Sequence, residues 1–469
     1  MKDILIFLGA LIVVVGLFNI FIFVHELGHY FAAKWRGLKV DRFQIWFGKP
    51  IWSKEIDGVP WGIGTIPAGG FVALPQMAPM EAVEGSNQTD REQLPPIKPL
   101  DKIIVAAAGP LFSLLLAVFA SFLVWWVGKP KDFVYTTEIG YIQPGSPADK
   151  AGFELGDKVI AVNGFKVNGF LGSLDSTMEQ IMLSEGETID FTVERNGEEI
   201  SLTSKFEIPE TRWYQRRALR RIGIWVPNDT IVGPVLDGSP AAQAGLKEGD
   251  LVRTIDGVPM RSNNHFIDVV NASENKEITV GIEREGKALD LTVTPVIPLN
   301  AGEDAKAMIG IGFGDGGEFS REIVHINPLV QIKDGLRMMW VTLSKVVSPD
   351  SDVGVQHLAG PIGIGKMMYD LLLTKDGWMR LLSFVVILNV NLAVLNMLPL
   401  PILDGGHIVL AIGEAAAGRP VRARILEVVQ TAFALVLLGL LLFITSRDIG
   451  DNIPGGKKEI EWPAPSGGP

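Results

Sequence analysis

No cysteine occurs in the 469 residues. Disulfides, thiolate zinc ligands, iron–sulfur clusters and a cysteine nucleophile are therefore excluded, while the compartment stays open. Charge is also scarce. Asp, Glu, Lys and Arg make up 20% of the chain, below the roughly 25% of an ordinary soluble domain, and 47% of residues are hydrophobic. Membrane segments are expected from this balance. The charge that exists is mostly negative, 53 acidic against 42 basic side chains for a net −11, which argues against nucleic acid as a partner.

Long apolar runs are what the chain has instead. Residues 4–24 are almost continuously apolar; at 1.5 Å per residue they extend about 31 Å, the thickness of a bilayer's hydrocarbon core. A cleaved signal peptide would be shorter and end in a small-residue cleavage site. This run continues into Val24-His25-Glu26-Leu27-Gly28-His29, so a retained helix is expected. Residues 103–127, 381–400 and 432–444 supply three further spans. Basic residues in the flanking loops set the orientation. Lys34, Arg36, Lys39, Arg42, Lys49, Lys54, Arg91, Lys98 and Lys102 lie between the first two spans, and Arg419, Arg422 and Arg424 between the last two. Both loops are expected in the cytoplasm, leaving the termini and residues 129–379 outside.

The outer segment repeats itself. Gly145-Ser146-Pro147-Ala148, Ala151-Gly152, Gly156-Asp157 and Asn163-Gly164 recur as Gly238-Ser239-Pro240-Ala241, Ala244-Gly245, Gly249-Asp250 and Asp256-Gly257, each offset by 93 residues. Two copies of one module are implied, each continuing through a strand, a turn at Asn196-Gly197 or Glu285-Gly286, and another strand. The pattern resembles the bacterial PDZ domain, which often takes a peptide end as an added strand. The alternative is that these modules shield or space the membrane part and bind no peptide tightly. Beyond them, Ile326, Leu329, Ile332, Leu336, Met339, Trp340 and Leu343 recur at helical spacing, as in an amphipathic helix lying on the membrane. A half-buried helix packed on the modules is the plainer alternative.

His25-Glu26-Leu27-Gly28-His29 carries the chemistry. On a helix, positions i and i+4 share a face, so both imidazoles reach one ion. Glu26 stands one residue further round, where it can take a proton from a water held at that ion. Ionisable groups at the end of a transmembrane helix are costly and functional by default. Two histidines leave a zinc short of the usual three protein ligands. The candidate third is Asp404, in Asn396-Met397-Leu398-Pro399-Leu400-Pro401-Ile402-Leu403-Asp404-Gly405-Gly406. The third span enters from outside, so Asp404 is expected at the same cytoplasmic depth as the histidines. His407 as a fourth ligand would close the position that water needs.

These residues resemble the site-2 proteases, intramembrane zinc proteases with H-E-x-x-H and L-D-G motifs on different transmembrane helices, and among them the tandem-PDZ bacterial type. The resemblance implies Zn2+ held by His25, His29 and Asp404, Glu26 as general base, and Asn391 and Asn396 bonding the substrate backbone. Interhelical packing bonds are the other reading of the two asparagines. The segment from Phe43 to Leu74 shows strand-like alternation with a turn at Asp57-Gly58. By resemblance it forms a β-hairpin entering the membrane and pairing with unwound substrate, with Gly64, Gly69 and Gly70 on the substrate side. The family often has Asn where Ser113 stands.

The expected architecture is thus an α-helical polytopic membrane protein, with four transmembrane helices, a membrane-associated β-hairpin and two inserted β-rich PDZ domains. Its parts are a first span with the His-Glu motif (1–36), a cytoplasmic or re-entrant β-hairpin loop (37–102), a second span (103–128), PDZ modules (132–208 and 222–298), amphipathic surface helices (320–375), a third span with the Leu-Asp-Gly-Gly motif (380–412), a fourth span (428–446) and a disordered tail (450–469). The resemblance further implies a bacterial inner membrane, periplasmic termini and PDZ modules, and an active site toward the cytoplasm. The implied partners are the lipid bilayer, peptide C-termini at the PDZ modules, and a transmembrane substrate such as an anti-sigma factor already trimmed outside, or signal-peptide remnants. The rival function is a non-catalytic PDZ-bearing membrane adaptor with a structural metal site. An intact Glu26 argues against it, because a structural site needs no base.

Overall fold

The computed structural model describes residues 2–77, 94–95, 97–131, 134–300, 302, 305–314, 322–419, 421, 423–452 and 460–463. Arg91 and Arg422, used above for orientation, and most of the tail lie outside them. The chain divides into two units, one of residues 1–130, 323–344 and 358–449, the other of 131–322, 345–357 and 450–469.

In the first unit, α1 (Lys2–Trp35) carries no proline, and its early apolar side chains such as Leu5, Leu11, Ile12 and Ile20 face outward. A helix apolar all round is suited to lipid rather than water. Four strands follow: β1 (Arg42–Phe47), β2 (Trp52–Ile56), β3 (Val59–Ile63) and β4 (Ile66–Ala73). They form one sheet in the order β2-β3-β1-β4, larger than the single hairpin expected. Asp57 and Gly58, both at positive φ, close the β2–β3 hairpin as a two-residue turn of that kind requires. β1 then pairs parallel with β3 and antiparallel with β4. Its register with β4 slips between Ile45 and Phe47. At that bulge Trp46 has φ 67°, and its indole N–H donates to Asn19 Oδ1 of α1 at 2.7 Å.

Helix α2 (Pro99–Val127) starts on a proline, whose missing N–H costs nothing in a first turn, and stops at Gly128. It packs against α1 and against the later helices Gly377–Asn396 and Asp404–Ala417. α1 and α2 approach closely at Gly28, where any Cβ would overlap the Ala108 carbonyl; small residues let helix backbones meet this way. Tyr30, Ala33, Phe43, Val105 and Ala108 build a core between the sheet and these helices, with Phe43 stacked on Trp61 at 4.1 Å.

The remaining helices are α3 (Pro328–Val347), α4 (Pro361–Leu373), α5 (Gly377–Asn396), α6 (Asp404–Ala417) and α7 (Ala423–Asn452). In α3, Gly335 rests on Val390 of α5 and Gln331 donates to the Ser121 carbonyl of α2 at 3.1 Å, while Leu329 and Trp340 stay exposed. Among the described residues, four helices are long and apolar enough to cross a membrane: Leu5–Trp35, Pro99–Val127, Gly377–Asn396 and Ile425–Asn452. The last runs past the expected end at 444 and carries Asp448, which is fully buried. Its carboxylate accepts from the Gly360 and Gly363 N–H groups at 3.1 and 2.8 Å, satisfying donors at the start of α4 that the helix itself leaves unpaired.

The second unit holds two similar β-rich modules. The first pairs Lys158–Val162, Phe165–Lys166, Ile189–Arg195 and Glu198–Ser204. The second pairs Thr230–Val235, Leu251–Ile255, Ile278–Arg284, Lys287–Val293 and Ile311–Phe313. The repeated motif has a structural use. Ser146 and Ser239 cap equivalent short helices, and the buried Asp157 and Asp250 receive paired hydrogen bonds from Arg195 and Arg284. Three expected boundaries shift, the first module's end at 208 and the second module's start at 222 and end at 298. Ile222 and Ile224 belong to the first core and Ile309 to the second, so each module is completed by a strand beyond 208 or 298. The modules meet where Tyr141 stacks on His265 at 4.7 Å and donates its hydroxyl proton to Asp268 at 2.9 Å.

Candidate metal centre

One helical turn separates His25 from His29, so their imidazoles leave α1 on the same side. Asp404, the first residue of α6, reaches the same point. Its carboxylate lies 3.2 Å from His25 Nε2 and 3.4 Å from His29 Nε2, and the two Nε2 atoms are 3.3 Å apart. Among the described residues these three are the group able to hold a metal. The spacing fits zinc: tetrahedral donors about 2.0 Å from the ion stand about 3.3 Å from one another. The chemistry fits as well. His29 Nδ1 faces the Val105 carbonyl at 2.8 Å, which only an N–H can satisfy, so a neutral ring keeps its Nε2 lone pair for the metal. His25 Nδ1 meets Ser113 Oγ at 3.0 Å. Such outer partners fix ring orientation at metal sites.

Glycines make the space. A Cβ on Gly109 of α2 would stand 2.8 Å from His25 Nε2 and press closer still on His29. The next residue, Pro110, has no N–H, so the Ala106 carbonyl lacks its helical donor; Ala106 lines the site cavity. On the other side, Gly405 and Gly406 let α6 begin directly against the Met397, Leu398 and Leu400 carbonyls, which brings Asp404 back to the end of α5.

The cavity has a volume of about 260 Å³, and its walls include His25, Glu26, His29, Gly70, Val72, Asn396, Asp404 and His407. Glu26 points into it with the Val72 backbone N–H in hydrogen-bonding reach. Since β4 is the last strand of its sheet among the described residues, this N–H belongs to an open edge. Gly70 lies against Glu26 and Ile22.

Of the residues singled out from the sequence, His25, Glu26, His29, Asp404, Asn396 and Gly70 share this cavity. Asn391, Gly64 and Gly69 are not among its walls. Gly64 fits tightly against the Trp46 and Phe47 carbonyls, and Gly69, at φ +64°, lies on the Phe47 ring; both shape the sheet. The fully buried asparagine of α5 is Asn389, whose amide donates to the Val385 carbonyl at 2.9 Å. Sequence reasoning also missed Val105, the use of Gly109 and Ser113, and the buried ion pair of Lys102 and Glu414 at 2.5 Å, which borders a second small cavity with His407. Ala108-Gly109-Pro110 was the available signal for Gly109.

Comparison with known proteins agrees with this chemistry. The model of Peptidase family M50 matches residues 12–440. A Neisseria meningitidis protein named as a zinc metalloprotease is 28% identical over 455 residues, covering 95% of this chain and 98% of the relative. The regulator of sigma-E protease of Salmonella typhimurium is 29% identical over 465 residues, covering 93% and 97%. That of Haemophilus influenzae is 27% identical over 468 residues, covering 94% and 98%. Matched along most of its length, the chain belongs to Peptidase family M50, the site-2 proteases, and is a metalloendopeptidase.

Proposed function

We propose that the protein is a zinc-dependent intramembrane endopeptidase that cuts a transmembrane segment of single-span proteins. The observation carrying this reading is the convergence of His25, His29, Asp404 and Glu26 in one cavity, with His25, Glu26 and His29 on a helix apolar enough to span a bilayer. His25, His29 and Asp404 would hold the zinc, whose Lewis acidity polarises a peptide carbonyl and acidifies a water. The Glu26 carboxylate takes the water's proton as it attacks and returns it to the departing amide nitrogen. Ser113 and the Val105 carbonyl keep both imidazoles facing the site.

A helical peptide bond is screened by its own side chains and hydrogen bonds, so the substrate must unwind. Backbone leaving a helix in lipid needs new partners, and the open edge of β4 offers them beside Glu26, by strand addition. In this reading Gly70 lies under the added strand, Gly64 and Gly69 hold the sheet's shape, and Asn391 and Asn396 bond the substrate backbone.

Four apolar helices and the sigma-E protease relatives support a bacterial inner-membrane protein, in contact with lipid along those helices. The loop charges support periplasmic termini and an active site toward the cytoplasm. The two modules then act as periplasmic PDZ domains, binding peptide C-termini or excluding untrimmed substrates. An anti-sigma factor already cut outside, or a signal-peptide remnant, is the substrate this implies.

Purified protein in liposomes, supplied with a single-span substrate lacking its outer domain, tests the reading. Cleavage within the span should vanish in Glu26→Gln and on zinc chelation. Undiminished cutting by Glu26→Gln would sink the mechanism. One zinc per chain with no cutting of several different spans would favour the adaptor.

A further inference from the structure

Past α7 the sequence is polar and rich in glycine and proline, and Trp462 is the only aromatic residue after Phe443. An isolated indole in such a segment has no neighbours of its own to pack against. Trp462 is nevertheless half-buried, seated on the second module. A Cβ built on Gly310 would lie 2.7 Å from Trp462 Cζ2, and one on Gly238 would lie 3.9 Å from its Cδ1. The backbone beside it is tied as well. The Leu299 N–H donates to the Glu461 carbonyl at 2.8 Å, and the Glu461 N–H donates to Asn300 Oδ1 at 3.3 Å.

The equivalent corner of the first module has a different neighbour. Gly223, like Gly310 at positive φ and facing the capping serine of its module, has Ser146 and then Gln143 as its nearest atoms. The first module has the same pair of glycines, Gly145 and Gly223, and nothing stands within 4 Å of a Cβ at Gly145, so the ring on the second module is set by the nearby Glu461-Trp462 segment rather than by the glycines. Aromatic rings gain most from such a seat, because they cover large apolar area while freezing two torsions.

We propose that Glu461-Trp462 is a built-in peptide ligand of the second module, docked in cis on the Gly238–Gly310 corner, and that this corner is an exchangeable docking surface for an extended peptide with a tryptophan anchor. The tail thereby ties the chain end that follows α7 to that module. The proposal is independent of the catalytic reading.

Hydrogen exchange on the full-length protein in detergent tests it. In Trp462→Ala, amides around Leu299 and Gly310 should exchange about tenfold faster, while Trp462→Phe keeps most of the protection. The strand Ile278–Arg284 should be unchanged in both. A peptide of residues 457–469 added to Trp462→Ala should restore the protection, and the same peptide carrying Ala at the tryptophan position should not. Unchanged exchange in Trp462→Ala would overturn the proposal, as would restoration by both peptides. Loss of protection along Ile278–Arg284 would overturn it too, because Trp462 would then be part of the module's core rather than a removable ligand.

Discussion

Gly109 and His29 occupy adjoining space: the missing side chain of the glycine on α2 is where the imidazole of α1 sits. As at Gly28, the two helices could not pack this closely around an alanine here. Gly109→Ala should cost about 1–3 kcal/mol through overpacking and push one or both rings off the metal. The expected outcome is a folded protein whose zinc content per chain falls well below one, read by elemental analysis of the purified variant.

Ser113 acts one step further out. With Ser113→Ala, His25 Nδ1 loses its partner at 3.0 Å while the three ligands remain. Loss of an outer-shell hydrogen bond typically weakens metal binding about 10–100-fold. Competition with a chelator of known affinity should show that drop, and Ser113→Thr should recover most of it. Equal affinity for wild type and Ser113→Ala would mean that packing alone orients the ring.

Gly70 separates binding of metal from handling of substrate. A methyl group there would stand 2.7 Å from Ile22 and 3.2 Å from the Glu26 side chain, crowding the open edge of β4 without touching a ligand. Gly70→Ala should retain its zinc and lose at least about tenfold in kcat/KM, since shifts of this size misplace reacting groups. A variant that lost zinc instead would link the sheet to the metal rather than to the substrate.

Acid should loosen the second module first at Asp250. Burial works to raise this carboxyl's pKa, but the hydrogen bonds from Arg284, both 2.6 Å, outweigh it and hold the pKa below the ordinary value. A group whose pKa is lower folded than unfolded adds stability above its unfolded pKa, and that stability is lost as pH falls through the folded value. Exchange protection along Ile278–Arg284 should therefore decline below about pH 4. Asp250→Asn should begin less protected and change less over the same range.

The parts of this molecule that were legible in the sequence are those written in a local period. His25, Glu26 and His29 obey helical spacing within one apolar run, and the 93-residue offset announces two modules. Partners brought together by packing left no such trace. Nothing local marks Ser113 as the neighbour of His25, 88 residues away, or Val105 as that of His29. Asp448 was hidden by its own solution: a charge that ends an apolar run in sequence is capped by Gly360 and Gly363 in space, so α7 continues past it. The strand Ile224–Trp225 is too short to alternate visibly, which is why the first module was expected to end at 208.

That late strand also sets a schedule. As the chain emerges from the ribosome, the first module has its sheet and most of its core by residue 204, yet Ile222 and Ile224 arrive only after a further stretch of synthesis. The second module waits likewise for Ile309 and Ile311. Domains made during synthesis fold as units, so each module here should hold open an unfinished apolar face while the next segment is being made. A shortened version ending at residue 208 would keep that face open permanently, and it should be caught by chaperones or aggregate, where one ending at 227 should not.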